Sequence, residues 1–141
     1  MVEHFLDVER VGGSNPSSRT KLINMNSTQL NPSYIIADHI RAACFIIADG
    51  VMPSGKQRGY ILRRLIRRSL SASLKMKIDI SQNQYFVELV DSVIGIYDGV
   101  YDEIKENRET IIQILTQEAQ KYLKAINTGQ KEWGKILKIN S

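Results

Sequence analysis

The sequence predicts an all-α fold, a helical bundle of about four to five helices preceded by an irregular N-terminal segment. Three observations lead there. From position 35 onwards apolar residues recur at three- and four-residue spacing, the period of one helix face. No stretch shows the strict alternation of a half-buried strand. Short groups containing Gly, Pro, Asp or Asn fall between the periodic segments, where turns belong. Helices joined by short connections pack as a bundle.

Residues 1–30 lack apolar periodicity and contain the run Gly12, Gly13, Ser14, Asn15, Pro16, Ser17 and Ser18. A segment of this composition is expected to be irregular or disordered. Its Gly13-Ser14-Asn15-Pro16 is also what GGTTCGAATCC, a T-arm sequence of transfer-RNA genes, encodes in one frame, so translation of a neighbouring RNA gene is a second reading of this stretch. The remainder, 31–141, forms the helical domain.

A first helix starts near Ser33, a candidate N-cap after Pro32, and carries Ile35, Ile36, Ile40, Ala43 and Ile47 at helical recurrence. It should end near Ala48, because Asp49-Gly50 and then Met52-Pro53-Ser54-Gly55 are turn-forming. A second helix runs from about Gln57 to Lys75. A break over 78–82 follows, with Ser81 as candidate cap for a third helix from Asn83 to Tyr97, whose Phe86, Leu89, Val90, Val93 and Ile94 share a face. Gly99 interrupts the pattern. A fourth, from about Tyr101 to Ile126, carries Ile104, Ile111, Ile112, Leu115, Ala119, Tyr122 and Leu123, with Thr128-Gly129 as a stop signal and a short final helix over 131–139.

At 141 residues the chain fits one domain with one core. Its 43% hydrophobic and 24% charged residues are ordinary for a soluble protein, and no apolar run approaches the roughly 18 to 20 residues of a membrane span. The opening MVEHFLDVERVGG is acidic and lacks the apolar core of a secretory signal, so a cytoplasmic location and no membrane partner are expected. Cys44 is the one cysteine. It rules out an intrachain disulfide and a thiolate-rich zinc site, and among Ala42, Ala43, Phe45, Ile46 and Ile47 it reads as a buried small hydrophobe. His4 and His39 have no ligand partners at metal spacing. With no Gly-rich phosphate loop and no nucleophile elbow, no catalytic residue, metal ligand or cofactor is assigned to this chain.

The net charge of +4 is unevenly spread. Between positions 56 and 77 stand Lys56, Arg58, Arg63, Arg64, Arg67, Arg68, Lys75 and Lys77, with no Asp or Glu among them. Residues 82–120 are mainly acidic, and the tail from Lys121 is basic again. On the second helix the apolar pairs Ile61/Leu62 and Leu65/Ile66 alternate with Arg63/Arg64 and Arg67/Arg68, so at about 100° per residue the two sets take opposite faces. Arg63 with Arg67, and Arg64 with Arg68, sit at i,i+4, where like charges repel by a few tenths of a kcal/mol. A polyanion would relieve that repulsion. Two readings stay open: a phosphate-facing helix, or arginines that are solvated or paired with the acidic stretch.

The segment NPSYIIADHIRAACFIIADGVMPSGKQRGYILRRLIRR, residues 31–68, resembles the part of the alanyl-tRNA synthetase family that follows its catalytic domain. ADHIRA, IADGVMPS and RGY.LRR.IRR occur in the family's order and spacing, and the helical pattern to about Leu137 is compatible with the family's middle, RNA-binding domain. The resemblance implies binding to the acceptor stem of alanine tRNA and reading of a G·U wobble pair there. Asn31 and Arg41 match family recognition positions, and Arg58, Arg63, Arg64, Arg67 and Arg68 are candidates for phosphate contacts. The chemistry is suitable: an A-form helix shows its base edges in a shallow minor groove, and an asparagine amide oxygen can accept from the guanine amino group that a wobble pair leaves unpartnered.

Departures from the family pattern are equally specific. Residues 1–30 do not resemble the end of the family's catalytic domain, and Ile35 stands where the family usually has a basic residue. A later recognition aspartate would fall beyond Ser141, and the family's adenylate-forming motifs and editing ligands are absent from this sequence. ATP and Mg²⁺ would then belong to a catalytic domain acting in cis or in trans, and this chain alone is expected to be inactive. DNA is not an expected partner. Two alternatives remain: a free-standing module binding structured RNA without sequence choice, and a remnant reading frame without function.

Overall fold

The computed structural model describes residues 31–139; the sequence readings on 1–30 lie outside them. The chain divides between Asn31 and Pro32, and the second unit carries five helices: α1 Pro32–Ala48, α2 Gln57–Lys75, α3 Asn83–Tyr97, α4 Asp102–Glu106 and α5 Arg108–Ile139. The described residues contain no strand, so the fold is all-α as the periodicity implied.

Turn chemistry sets the ends of the first three helices. At the end of α1, Gly50 takes φ +83° while its N–H bonds Ile47 O at 2.8 Å and the Val51 N–H reaches Ile46 O at 3.2 Å. This paired pattern closes a helix through a left-handed residue, a conformation glycine adopts without steric cost. The same device ends α2 with Lys77 at φ +59° and bonds from Lys77 N to Leu74 O and from Ile78 N to Ser73 O. After α3, Asp98 (φ −56°, ψ 130°) and Gly99 (φ +75°) form a type II turn closed by Val100 N to Tyr97 O at 3.0 Å.

Three boundaries differ from the sequence reading. Pro32, not Ser33, opens α1, as suits a residue with a preset φ and no N–H to satisfy. Ser81 does not cap α3: its N–H and hydroxyl are both taken by Asp79 Oδ1 at 2.9 and 2.6 Å, and Gln82 holds the cap position. The expected helix over 101–126 is instead split at Asn107. The Asn107 amide and backbone N–H both bond Glu103 O, while its own carbonyl accepts from Ile111 N to start α5. α5 then passes through Thr128-Gly129 without stopping and absorbs the separate final helix. Thr128 Oγ1 donates back to Lys124 O at 2.9 Å, and Gly129 is not among the positive-φ glycines, so neither residue turns the chain.

α1 packs most closely on α2, α5 lies against α3 and α2, and α4 touches α1 and α3. The core runs through all five, with Ile40, Leu62, Ile66, Leu70, Phe86, Ile104, Ile111 and Leu115 almost wholly out of water, each worth about 1.5–3 kcal/mol of transfer free energy. Polar links fix the helices laterally. Ser73 Oγ donates its proton to Ser69 O, so in the 2.7 Å contact between α2 and α3 it is Tyr85 that donates to Ser73. Arg108 on α5 grips Asp91 on α3 with two bonds, Nε to Oδ1 at 2.6 Å and Nη2 to Oδ2 at 2.9 Å.

That fork makes the fold acid-sensitive. The Arg108 guanidinium holds the Asp91 carboxyl below its ordinary value of 3.8, and a depressed carboxylate stabilises the folded state above the unfolded pKa and loses that contribution as pH falls through the folded one. The melting temperature should therefore fall as pH drops below about 4, and Asp91→Asn should show a shallower fall over that window in thermal melts. Cys44 behaves as a core residue: burial pushes its thiol up to about 12. At about pH 8 it should resist a thiol reagent in the folded chain and react fully after denaturation, because the thiolate is the reactive form.

Candidate nucleic-acid interface

The connection between α1 and α2 folds directly onto the backbone of Gly59. Ser54 N–H donates to Gly59 O at 3.1 Å, Ser54 Oγ donates to Lys56 O, and a Cβ placed on Gly59 would overlap Ser54 Oγ and lie 2.5 Å from Met52 O. Only a residue without a side chain admits this approach. The glycine of the Arg-Gly-Tyr motif thus lets the loop seat tightly, and Tyr60 and Arg58 emerge exposed on either side of it.

Along α2 the buried stripe is Leu62, Ile66, Ser69, Leu70 and Ser73, a helical i, i+4, i+7 set. Leu65 is half-buried, and Ile61 is 55% exposed. Apolar pairs on one face was therefore too broad a reading: in this half of α2 one member of each pair, Leu62 or Ile66, enters the core, and its neighbour about 100° round the helix stays at the edge or in solvent. The arginines likewise split. Arg63 and Arg67 are half-buried on the flank towards α5, and Arg64 and Arg68 are exposed.

Glu118 on α5 causes the split. Its side chain is only 2% exposed, with Oε1 on Lys121 Nζ at 3.1 Å and Oε2 at 3.9 Å from Arg63 Nε and 4.0 Å from Arg67 Nε. At that range two unit charges attract by about 4 kcal/mol in a partly buried setting, before desolvation offsets part of it. Oε2 and both Nε atoms are buried without a hydrogen bond, so the three groups are held by charge rather than by direct bonds. The internal-pairing reading thus applies to Arg63 and Arg67. Arg64 and Arg68 have no ion pair among the described residues.

These side chains line one open depression of about 550 Å³ walled by Tyr60, Arg63, Arg64, Arg67, Arg68, Ser71 and Tyr122. The lining gathers four guanidinium groups and two phenol rings; the exposed Arg64 and Arg68 can meet phosphates, and a phenol ring can stack on an unpaired base. Arg41 and Arg58 are not part of it. Arg41 lies on α1, donates from Nη2 to Asp38 Oδ1, and is held charged first by the Tyr97 hydroxyl and then by Asp38. Asn31 is exposed immediately before α1. Glu118 was not singled out in the sequence. Its signal was there: it occupies a position in the core-facing series Ile111, Ile114, Leu115, Ala119, where an acid requires a cation from a neighbouring element.

The pattern of class II tRNA synthetases (A) matches residues 10–140. The chain belongs to that family. Its match begins upstream of Asn31, where the 31–68 resemblance starts. Similar proteins include the alanine–tRNA ligase of Borreliella afzelii, 45% identical over 104 residues, that of Mycoplasma capricolum, 38% over 119, and that of Borrelia hermsii, 35% over 132. These alignments cover 72%, 84% and 92% of this chain but 17%, 13% and 21% of the three ligases. This synthetase-family chain therefore spans about a fifth or less of the length of the curated relatives it matches. None of its described helices is long and apolar enough to cross a membrane, and no group of three or more His, Cys, Asp or Glu among the described residues could hold a metal ion.

Proposed function

We propose that the chain is the helical region of an alanine–tRNA ligase that binds the acceptor stem of alanine tRNA, working in the cytoplasm with a catalytic domain in cis or in trans. ATP and Mg²⁺ chemistry belongs, in this reading, to that catalytic domain. The observation that carries the proposal is the open arginine depression on α2: Arg64 and Arg68 point to solvent beside Tyr60, with no acidic partner among the described residues, in a chain of the synthetase family. Such a surface neutralises backbone phosphates and sets the register of a duplex, while base edges are read elsewhere.

Asn31 and Arg41 are the base-reading candidates, with Arg58 a further phosphate candidate at the start of α2. The Asn31 amide oxygen accepts from the guanine amino group in the minor groove, and Arg41 offers the donors that Asp38 and Tyr97 leave over. Filter binding at fixed salt tests the reading with alanine tRNA, the same tRNA with its wobble pair changed to G·C, and an unrelated tRNA. Alanine tRNA should bind most tightly, and Asn31→Ala should narrow the gap to the G·C variant more than it weakens overall affinity. Equal affinity for all three would return the chain to a structured-RNA module without sequence choice.

A further inference from the structure

We propose that Glu118 is a specificity-determining positioning residue that withholds Arg63 and Arg67 from polyanions, leaving Arg64 and Arg68 to carry the non-specific attraction. The inference takes its purpose from the RNA-binding reading above, but its test does not depend on tRNA.

The geometry is that of a restraint. Glu118 Oε2 stands almost equidistant from the two Nε atoms, at 3.9 and 4.0 Å, and its side chain is 2% exposed. A buried carboxylate is tolerated only while cations neutralise it, and removing a partner leaves an uncompensated charge. Lys121 supplies one cation to Oε1, from an exposed side chain; the Oε2 side is neutralised by Arg63 and Arg67. If either guanidinium swings out to a phosphate, the carboxylate loses half of that neutralisation. Arg64 and Arg68 repeat the same i,i+4 spacing one residue on, and nothing among the described residues restrains them. Of four adjacent arginines, two are committed inward and two outward.

The consequence is one of ratio. Non-specific affinity grows with the number of phosphates that cations neutralise, for every RNA alike, while discrimination comes from base-edge contacts. Committing two arginines to Glu118 lowers the background for all nucleic acids and leaves base reading untouched. A wholly free four-arginine face would bind any duplex more tightly and choose between duplexes less well.

Heparin titrations of the full chain against salt concentration test this, comparing the wild type, Glu118→Gln and Glu88→Gln, the last removing an exposed carboxylate that accepts from Gln84. Glu118→Gln should steepen the slope of log K against log salt by about one to two and tighten binding about tenfold at 0.1 M salt. Glu88→Gln should leave the slope unchanged. An unaltered slope in Glu118→Gln, or an equal steepening in both variants, overturns the inference. Arginine Nε–H spectra of the wild type give a second readout that needs no variant to fold: added heparin should shift the Arg64 and Arg68 signals and leave Arg63 and Arg67 in place. Movement of all four together overturns it as well. Loss of tRNA discrimination with the heparin behaviour intact would remove the tRNA reading and leave Glu118's role standing; the reverse pattern would remove only the latter.

Discussion

Gly59→Ala should cost the folded chain about 2 to 3 kcal/mol, the scale of overpacking a site that cannot relax. The added Cβ overlaps Ser54 Oγ and lies 2.5 Å from Met52 O and 2.9 Å from Ser54 Cβ. A flexible side-chain tip could turn away, but a backbone carbonyl cannot move without the loop, and the loop is tied back by Ser54 N–H to Gly59 O. The expected response is therefore displacement of the whole connection between α1 and α2, which disturbs the first turn of α2 where Tyr60 N–H bonds Lys56 O, so RNA affinity should fall along with stability. Gly95→Ala supplies the contrast, because nothing lies within 4 Å of its built Cβ and it sits inside α3. That change should stabilise by up to about 1 kcal/mol through helix propensity. Urea unfolding of the two variants measures both, and equal midpoints would contradict the packing described for the loop.

Arg64→Gln with Arg68→Gln should weaken binding to any structured RNA roughly ten- to a hundredfold at moderate salt and make the dependence on salt shallower by roughly 1.5 to 2. Both side chains face solvent, so thermal stability should stay within about 0.5 kcal/mol of the parent. The other pair should behave in the opposite sense. Arg63→Gln with Arg67→Gln leaves the buried Glu118 carboxylate with Lys121 as its one cation, at a cost below the roughly 3 to 5 kcal/mol of a buried charge left with no partner. Its main effect should appear in the melting temperature, with a smaller change in the salt slope. On the proposed reading, neighbouring arginines in the sequence LRRLIRR divide into one pair for binding and one for the fold, and binding curves run beside thermal melts test that division.

Local chemistry made most of the fold legible. Gly50 and Gly99 mark real chain reversals because each adopts a positive φ and closes a defined turn, so α2 and α3 fall where periodicity and punctuation put them, and α1 differs by one residue at its start. Thr128-Gly129 carried the same surface signal without the same physics: Thr128 bonds back into its own helix, and a glycine that keeps helical dihedrals stops nothing. Asn107 broke a helix that apolar spacing alone joined, since the periodic pattern continues across the one-residue interruption.

The candidate site was legible as charge and only partly as structure. Four arginines on one side of α2 are visible in the sequence, but their division depends on Glu118, remote in the chain and brought beside them by the packing of α5 on α2. No local pattern encodes that meeting. Arg41, grouped with the others by the family resemblance, lies instead with Asp38 and Tyr97, outside the depression. Tyr122, which forms one wall of it, read in the sequence as one more core residue at helical spacing.

Photocrosslinking tests most directly whether RNA lies on the outer face of α2. A benzophenone amino acid replaces Tyr60, lining the arginine depression at 50% exposure, or Ile96, a more exposed position on α3 at 70%, and each variant is irradiated with an acceptor-stem hairpin carrying the G·U pair. Crosslinking from position 60, competed by excess alanine tRNA and with little yield from position 96, is the outcome expected. Crosslinking from position 96 with none from position 60 would contradict the assignment of this helix as the RNA interface.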